Sequence, residues 1–378
     1  MKRAIITINI IVTMALLFRC DKDDPIPNIH IPDNNFLNAL IELGIDTNGD
    51  GMISSGEAEA VTSMDVSFRS ISDITGIEAF VNLDTLYCSI NQIKSLDLSK
   101  NTALKFLSCM DNKLTTLDVS NNSDLRRLLC HFNQLSSLDV SNNIALHYLA
   151  CEFNQLTGLD VSNNTLLENL NCQNNKLTRL DFSINKSLKN LDCRNNQITS
   201  LNVSNATALE YLGCGRNQLT SLDVSHNTAL TFVYCGENNL TSLDLSNNTA
   251  IESLYCSKNQ LTSLDVSSNS ALKDLICSEN QLHNLDVSKN VDLLWLACDE
   301  NQLTSLDISN NPKLLGLECR NNQLSSLDVS NNPALKAVYL NNMSSLYKVC
   351  VWEIPFPPEG VEVDTTNSPN VYFTTECN

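Results

Sequence analysis

Ala208-Leu209-Glu210-Tyr211-Leu212-Gly213-Cys214-Gly215-Arg216-Asn217-Gln218-Leu219-Thr220-Ser221-Leu222-Asp223-Val224-Ser225-His226-Asn227-Thr228 is one copy of a phrase that recurs, apolar phases intact, along most of the 378-residue chain. Cysteine marks the period: Cys88, Cys109, Cys130, Cys151, Cys172, Cys193, Cys214, Cys235, Cys256, Cys277, Cys298 and Cys319 each stand 21 residues from the next. A single globular core imposes no such regularity, whereas a stack of equivalent coils does. Within the quoted coil Leu209, Leu212 and Cys214 form one apolar group, and Leu219, Leu222 and Val224 another. The alternation Leu212-Gly213-Cys214 predicts a strand with Leu and Cys inward and Gly213 outward. The phase of Asn217 carries Asn in all twelve coils, from Asn91 to Asn322. A buried amide there can bond backbone groups of its own turn and of the next coil.

The pattern L-x-x-L-x-C-x-x-N-x-L resembles the leucine-rich repeat, with Cys replacing the last strand leucine, and the resemblance covers residues 64–346. It implies an α/β repeat solenoid: a right-handed stack of 21-residue coils with a parallel β-sheet on the concave face, mostly strand and loop, with little helix. The second half, Leu-Asp-Val-Ser-x-Asn, reads as a short extended segment or tight turn on the opposite face. Its closing Asn is present in eleven of twelve coils, Ala206 being the exception. In the first coil Ile71, Ile74, Ile77, Phe80 and Leu83 step by three, with a helical turn expected at 76–82, a spacing that resembles internalin-like repeats.

Strands stacked ~4.8 Å apart carry their β-carbons in parallel, while a disulfide needs β-carbons about 3.5–4.5 Å apart and converging. The twelve ladder cysteines are therefore expected as free, buried thiols, with pairing of alternate rungs as the alternative. Three cysteines remain. Cys20 follows a basic start and the apolar stretch Ala4 to Phe18, and precedes Asp21-Lys22-Asp23-Asp24. This resembles a bacterial lipoprotein signal of the Bacteroidetes surface type, with lipidation at Cys20, although Arg19 stands where a small residue is usual. A plain secretory signal or an uncleaved anchor is the alternative. The expected location is the outer membrane or cell surface, held by a lipid anchor, or else secreted. Cys350 and Cys377 bracket a proline-rich end that loses the repeat, and are expected as a disulfide closing a loop worth roughly 3 kcal/mol in the chain-entropy model.

Asp46-Thr47-Asn48-Gly49-Asp50-Gly51-Met52-Ile53-Ser54-Ser55-Gly56-Glu57 matches an EF-hand calcium loop at each position. The resemblance assigns Ca²⁺ ligation to Asp46, Asn48, Asp50, the Met52 carbonyl, Ser54 and Glu57; a loop held only by turn hydrogen bonds is the other reading. A helix with Phe36, Leu37, Leu40, Ile41 and Leu43 on its apolar face, capped by Asp33, is expected before it. No second loop follows, so a rigid cap is expected rather than a calcium sensor. The chain thus divides into a signal peptide (1–19), a tether (20–33), an EF-hand-like cap (34–63), leucine-rich repeats (64–346) and a disulfide-closed C-terminal cap (347–378).

Lys and Arg total 24 against 43 acids, a net charge of −19, which argues against nucleic acid and anionic headgroups as partners. Much of the excess is a column of its own: Asp97 recurs at the same phase through Asp328, broken only by Asn202. The five histidines fall at unrelated phases, and no nucleophile elbow, phosphate loop or zinc helix appears. An enzyme is not expected. Outward strand positions are free to vary, and Tyr211, Phe232, Tyr234 and Tyr255 should form one patch, with Trp295 two coils on; sheet support is the competing role. A weaker basic spot is expected at Arg126, Arg127, His131 and His147. The expected function is adhesion or recognition of a protein or glycan through this face, by a monomer touching the membrane only through its lipid anchor. The alternative is a calcium-stiffened spacer.

Overall fold

Each coil spends its strand on three residues, because only the middle one must point inward before the cysteine that follows. In a computed structural model describing residues 27–377, these strands pair in parallel and in register at a 21-residue step: Leu212 faces Leu191 on one side and Val233 on the other. The main sheet has 15 strands, from Ser63–Asp65 to Glu362–Asp364. The chain is therefore a parallel solenoid with its core inside the coil. The strand leucines, the cysteines and the Leu219- and Val224-type residues are all buried in one continuous cluster. Burying a leucine side chain contributes about 2 kcal/mol, and the stack repeats that gain at every rung.

The ladder cysteines are free and buried, which confirms the thiol expectation and excludes pairing of alternate rungs. Burial pushes their thiols upward, to about 12 at Cys109. Leaving water disfavours the thiolate, so these are inert packing groups rather than nucleophiles.

Two asparagine columns run along the coil. Asn217 Nδ2 donates to the carbonyls of Cys193 (3.1 Å), Cys214 (2.9 Å) and Gly215 (3.2 Å), and its Oδ1 accepts from Ile198 N–H (3.0 Å). The inter-coil bonds reach the preceding coil, not the next as the sequence suggested. The closing column differs. Asn248 Nδ2 donates to Val224 O (3.0 Å) and Asn227 O (2.9 Å), while its Oδ1 is buried with no partner among the described residues.

On the side away from the main sheet the aspartates accept turn amides, as expected: Asp244 Oδ1 takes Ser246 N–H at 2.9 Å. These bonds from Ser246 hold the Asp244 carboxyl below the usual range. Between the strand and the Asn217-type position lies a turn residue in the left-handed region. From Ile90 to Asn342, thirteen successive coils place a non-glycine residue there at φ between 52° and 57°.

The N-terminal cap is α1 (Asn34–Glu42) and α2 (Ser55–Glu59). Asp33 caps α1 by accepting from Asn35 and Phe36 N–H, and its second oxygen accepts from Ser72 and Asp73, tying the cap to the first coil. Phe36, Ala39 and Leu40 are buried, but Ile41 and Leu43 are exposed, so the buried stripe is narrower than the sequence pattern suggests. The 3₁₀ turn Ile77–Ala79 lies within the predicted helical turn. The far end differs from expectation in one respect. After the repeat phrase is lost, Glu362–Asp364 still pairs with Ala337–Tyr339, and Tyr372–Thr374 with Lys348–Cys350. The prolines lie in the loop before these strands, so they cost no ladder bond. Cys350 and Cys377 are disulfide-bonded with Cα atoms 5.5 Å apart, as expected. Cys20 and the signal segment lie outside the described residues.

Candidate ligand-binding face

Strand residues on either side of the inward leucine share the outward face, so in-register stacking converts a sequence phase into a row of touching side chains. Four of the five predicted residues meet in this way. Tyr211 and Phe232 stack with centroids 4.8 Å apart and planes 11° apart. Tyr255 lies 5.3 Å from Phe232 and 6.0 Å from Tyr234, which closes the group. All four are half-buried. Burial pushes the Tyr211 and Tyr255 phenols upward, which keeps them neutral as hydroxyl donors.

Glycine lets one ring of the row lie flat. A β-carbon on Gly215 would fall 2.1 Å from the Tyr234 ring, so the ring lies down on bare backbone. The row ends in a charged pair. Arg194 donates to Asp192 through Nε (2.9 Å) and Nη2 (2.6 Å), and its guanidinium sits 5.5 Å from the Tyr234 centroid. Trp295 is brought to the same face but not into the group: the Ser253 and Asp274 positions separate it from Phe232 in register. Its ring covers Gly316, where a β-carbon would meet it at 2.3 Å.

A second row stands nearer the N-terminus. Tyr87 and Phe106 lie 4.7 Å apart, and Arg127 sits between Phe106 (5.7 Å) and Tyr148 (5.0 Å). The basic spot expected around Arg127 is therefore divided. Arg127 belongs to this sheet row, whereas His131 lies past the strand, where burial lowers its pKa and favours the neutral ring. The sequence signal for the row was the phase shared by Phe106, Arg127 and Tyr148.

In the predicted calcium loop, Gly49 and Gly51 adopt φ of 74° and 79°, the left-handed turn that such a loop needs at glycine. Asp46 Oδ1 accepts from Gly49 N–H (2.8 Å) and Oδ2 from Gly51 N–H (2.9 Å). Asn48 Oδ1 accepts from Asp50 N–H, and Asp50 Oδ1 from Met52 N–H. Glu57 reaches across the loop to Thr47 and Ser54. Burial pushes the Glu57 carboxyl up, but hydrogen bonds from Ser54 and Thr47 outweigh it and bring it down to about 2. Among the described residues the loop carboxylates do not converge on one point; the only such trio is Asp328 with the bonded Cys350 and Cys377. The donor set and the glycine turns fit a hard cation, while the carboxylates are turned onto loop amides.

No protein-family profile matches the chain. The solved functional domain of InlJ from Listeria monocytogenes, which includes a cysteine ladder, is 37% identical, with 86% of this chain and 77% of that one covered and a TM-score of 0.80. The chain belongs to the internalin-like leucine-rich-repeat family. Internalin J of Listeria monocytogenes serotype 4b is 39% identical over 75 residues, 20% of this chain and 8% of its own length, so the matched part is a small piece of that relative. The internalin inlF from the same species superposes with a TM-score of 0.66 over 92% of this chain and 96% of that one, at 21% identity, which shows the shared fold. The internalin-like assignment agrees with the step-by-three first coil and with the cysteine column.

Proposed function

We propose that the chain is an exported, non-enzymatic recognition module that captures a protein ligand on the outward face of its sheet. The observation that carries this reading is the contiguous group Tyr211, Phe232, Tyr234 and Tyr255, with the Tyr234 ring laid on the Gly215 backbone and bordered by Arg194. Flat tyrosines combine large apolar area with a hydroxyl and few rotatable bonds, the composition that dominates protein hot spots. The internalin-like relationship supports an adhesive role at a cell surface. Export and anchoring rest on the lipoprotein-like start and on Cys20.

The test is binding of the purified chain to an arrayed library of extracellular proteins and glycans. A protein ligand should lose at least about tenfold in affinity with Tyr234→Ala plus Tyr255→Ala, and nothing with Asp244→Asn on the far side. Equal loss from both would remove the sheet face from the reading, and a glycan-only response would replace the ligand class.

Calcium enters the same proposal as a cap stabiliser. Asp46, Asn48, Asp50, Met52 O, Ser54 and Glu57 would hold it, and the ion would supply positive charge among these oxygens. Adding about 1 mM Ca²⁺ should raise the melting temperature of the cap by mass action and chelator should reverse it. An unchanged melt means that the loop is held by its own hydrogen bonds.

A further inference from the structure

The turn residue at positive φ disfavours any bulky side chain, because its β-carbon crowds the backbone, while Asn tolerates the conformation best after Gly. Asn occupies this position at 174, 195, 321 and 342. Bulky residues stand there at Phe68 (φ 61°) and Ile90 (φ 54°), and phenylalanine occupies two successive coils, Phe132 and Phe153, with φ of 52° and 53°. Both rings are also exposed, Phe132 by 49% and Phe153 by 41%. The fold thus carries two unfavourable choices on successive coils. The rings stack on one another, centroids 4.4 Å apart and planes 11° apart. One face of Phe132 is covered by Phe153, and the other looks along the column toward the preceding coil.

That preceding residue is Asp111, exposed at φ 53°. It is followed along the column by Ile90 and then by Phe68, which is 72% exposed. A single carboxylate therefore stands between apolar neighbours at one phase, with Ile90 and Phe132 two strand spacings apart, about 10 Å. The backbone fixes this slot: Ile90 N–H donates to Met110 O (2.9 Å) and Asp111 N–H to His131 O (3.0 Å). His131 meets the Phe132 ring edge-on at 5.6 Å, its Nδ1 stands 3.9 Å from Glu152 Oε1, and neither that nitrogen nor Glu152 Oε2, both buried, has a hydrogen-bond partner among the described residues. Among the described residues no lysine or arginine pairs with Asp111 or Glu152.

We infer that this turn edge is a second docking surface, at which an arginine of a protein partner slides its guanidinium between Ile90 and Phe132, flat on the phenyl stack and paired with Asp111. Planarity, weak hydration and a fork that matches a carboxylate suit arginine to such a slot better than lysine. The molecule already uses this mode twice internally, with Arg127 between Phe106 and Tyr148 and Arg194 on Tyr234. The net charge of −19 supplies the long-range attraction for a basic segment. This surface lies past the end of the strands, so it can be occupied independently of the sheet face.

The experiment measures binding of nona-arginine and nona-lysine peptides to the whole chain by calorimetry at about 0.15 M salt, where the Debye length is ~8 Å. Nona-arginine should bind about tenfold more tightly than nona-lysine. Phe132→Asn with Phe153→Asn leaves the net charge unchanged and installs the residue found at 174 and 195. This double variant should abolish the preference while melting at or above the parent temperature. Asp111→Asn should weaken nona-arginine several-fold more than Asp244→Asn, which removes the same charge elsewhere. The inference is overturned if the parent binds the two peptides equally, if the double variant binds as the parent does, or if its melting temperature falls, which would make the phenylalanines structural.

Discussion

The two asparagine columns look alike in sequence and differ in what they do. The column beside the strand uses both ends of its amide: Asn217 donates to three carbonyls and accepts the N–H of Ile198 from the coil before. The far column uses one end only, since Asn248 donates to two carbonyls and leaves its oxygen buried and unpartnered. The near column has no exception in twelve coils, and the far column admits Ala206. The difference teaches where the fold is rigidly specified. Beside the strand the N–H of Ile198 has only the Asn217 oxygen to donate to, whereas the far turn tolerates the loss of one amide. Secure geometry beside the sheet is what frees the outward strand positions to vary, and those positions carry the aromatic rows.

The largest effect should come from Asn217→Ala. It leaves Ile198 N–H unpaired in the interior and takes one donor from each of three carbonyls that keep a second, so the loss should be about 3 kcal/mol, at about 1–3 kcal/mol for the buried group left unpaired plus the weaker bonds lost. Guanidinium unfolding would show it as a lowered midpoint. Asn248→Ala removes two donated bonds together with an oxygen that already lacked a partner, so about 1 kcal/mol is expected from the same measurement. Equal losses at the two sites would break the distinction.

Acid sharpens the comparison by leaving both columns untouched, since amides do not titrate. Glu57 does. Its carboxyl falls from an ordinary 4.5 to about 2 in the folded cap, so the stability it contributes is complete above pH about 4.5 and is lost as pH falls through about 2. In calcium-free buffer the amides of Thr47 and Ser54, which donate to Glu57, should lose hydrogen-exchange protection in that window before the amide of Leu219, which donates to Asn238. In Glu57→Gln the early loss should already be present at neutral pH. Simultaneous loss of all three amides in the parent would show that the cap and the coils open as one unit.

Much of this was legible in the chain, because a repeat writes each phase many times. Cys214 and its equivalents, Leu212, Asn217 and the Asp223 column all sit where their spacing placed them. Tyr211, Phe232, Tyr234 and Tyr255 were legible for the same reason: a phase in sequence is a row in space. What escaped was whatever depends on backbone dihedrals or on a broken period. Phe132 and Phe153 occupy a position whose left-handed conformation no single coil announces, and the signal was bulky residues at a phase otherwise rich in Asn and Glu. The role of Gly215 and Gly316 as floors for the Tyr234 and Trp295 rings required pairing residues one coil apart. The last strands escaped because the step from Ala337 to Glu362 is longer than 21 residues and is interrupted by prolines.

The uniform register has a consequence for descent. Each coil presents to its successor the same unpaired amides and the same apolar edge that it received, so excising or duplicating one complete 21-residue unit leaves both new junctions chemically identical to the old ones. Unequal recombination between neighbouring copies would therefore yield shorter or longer descendants that still fold, and the reach of the molecule could change in a single genetic event while both of its ends remain intact.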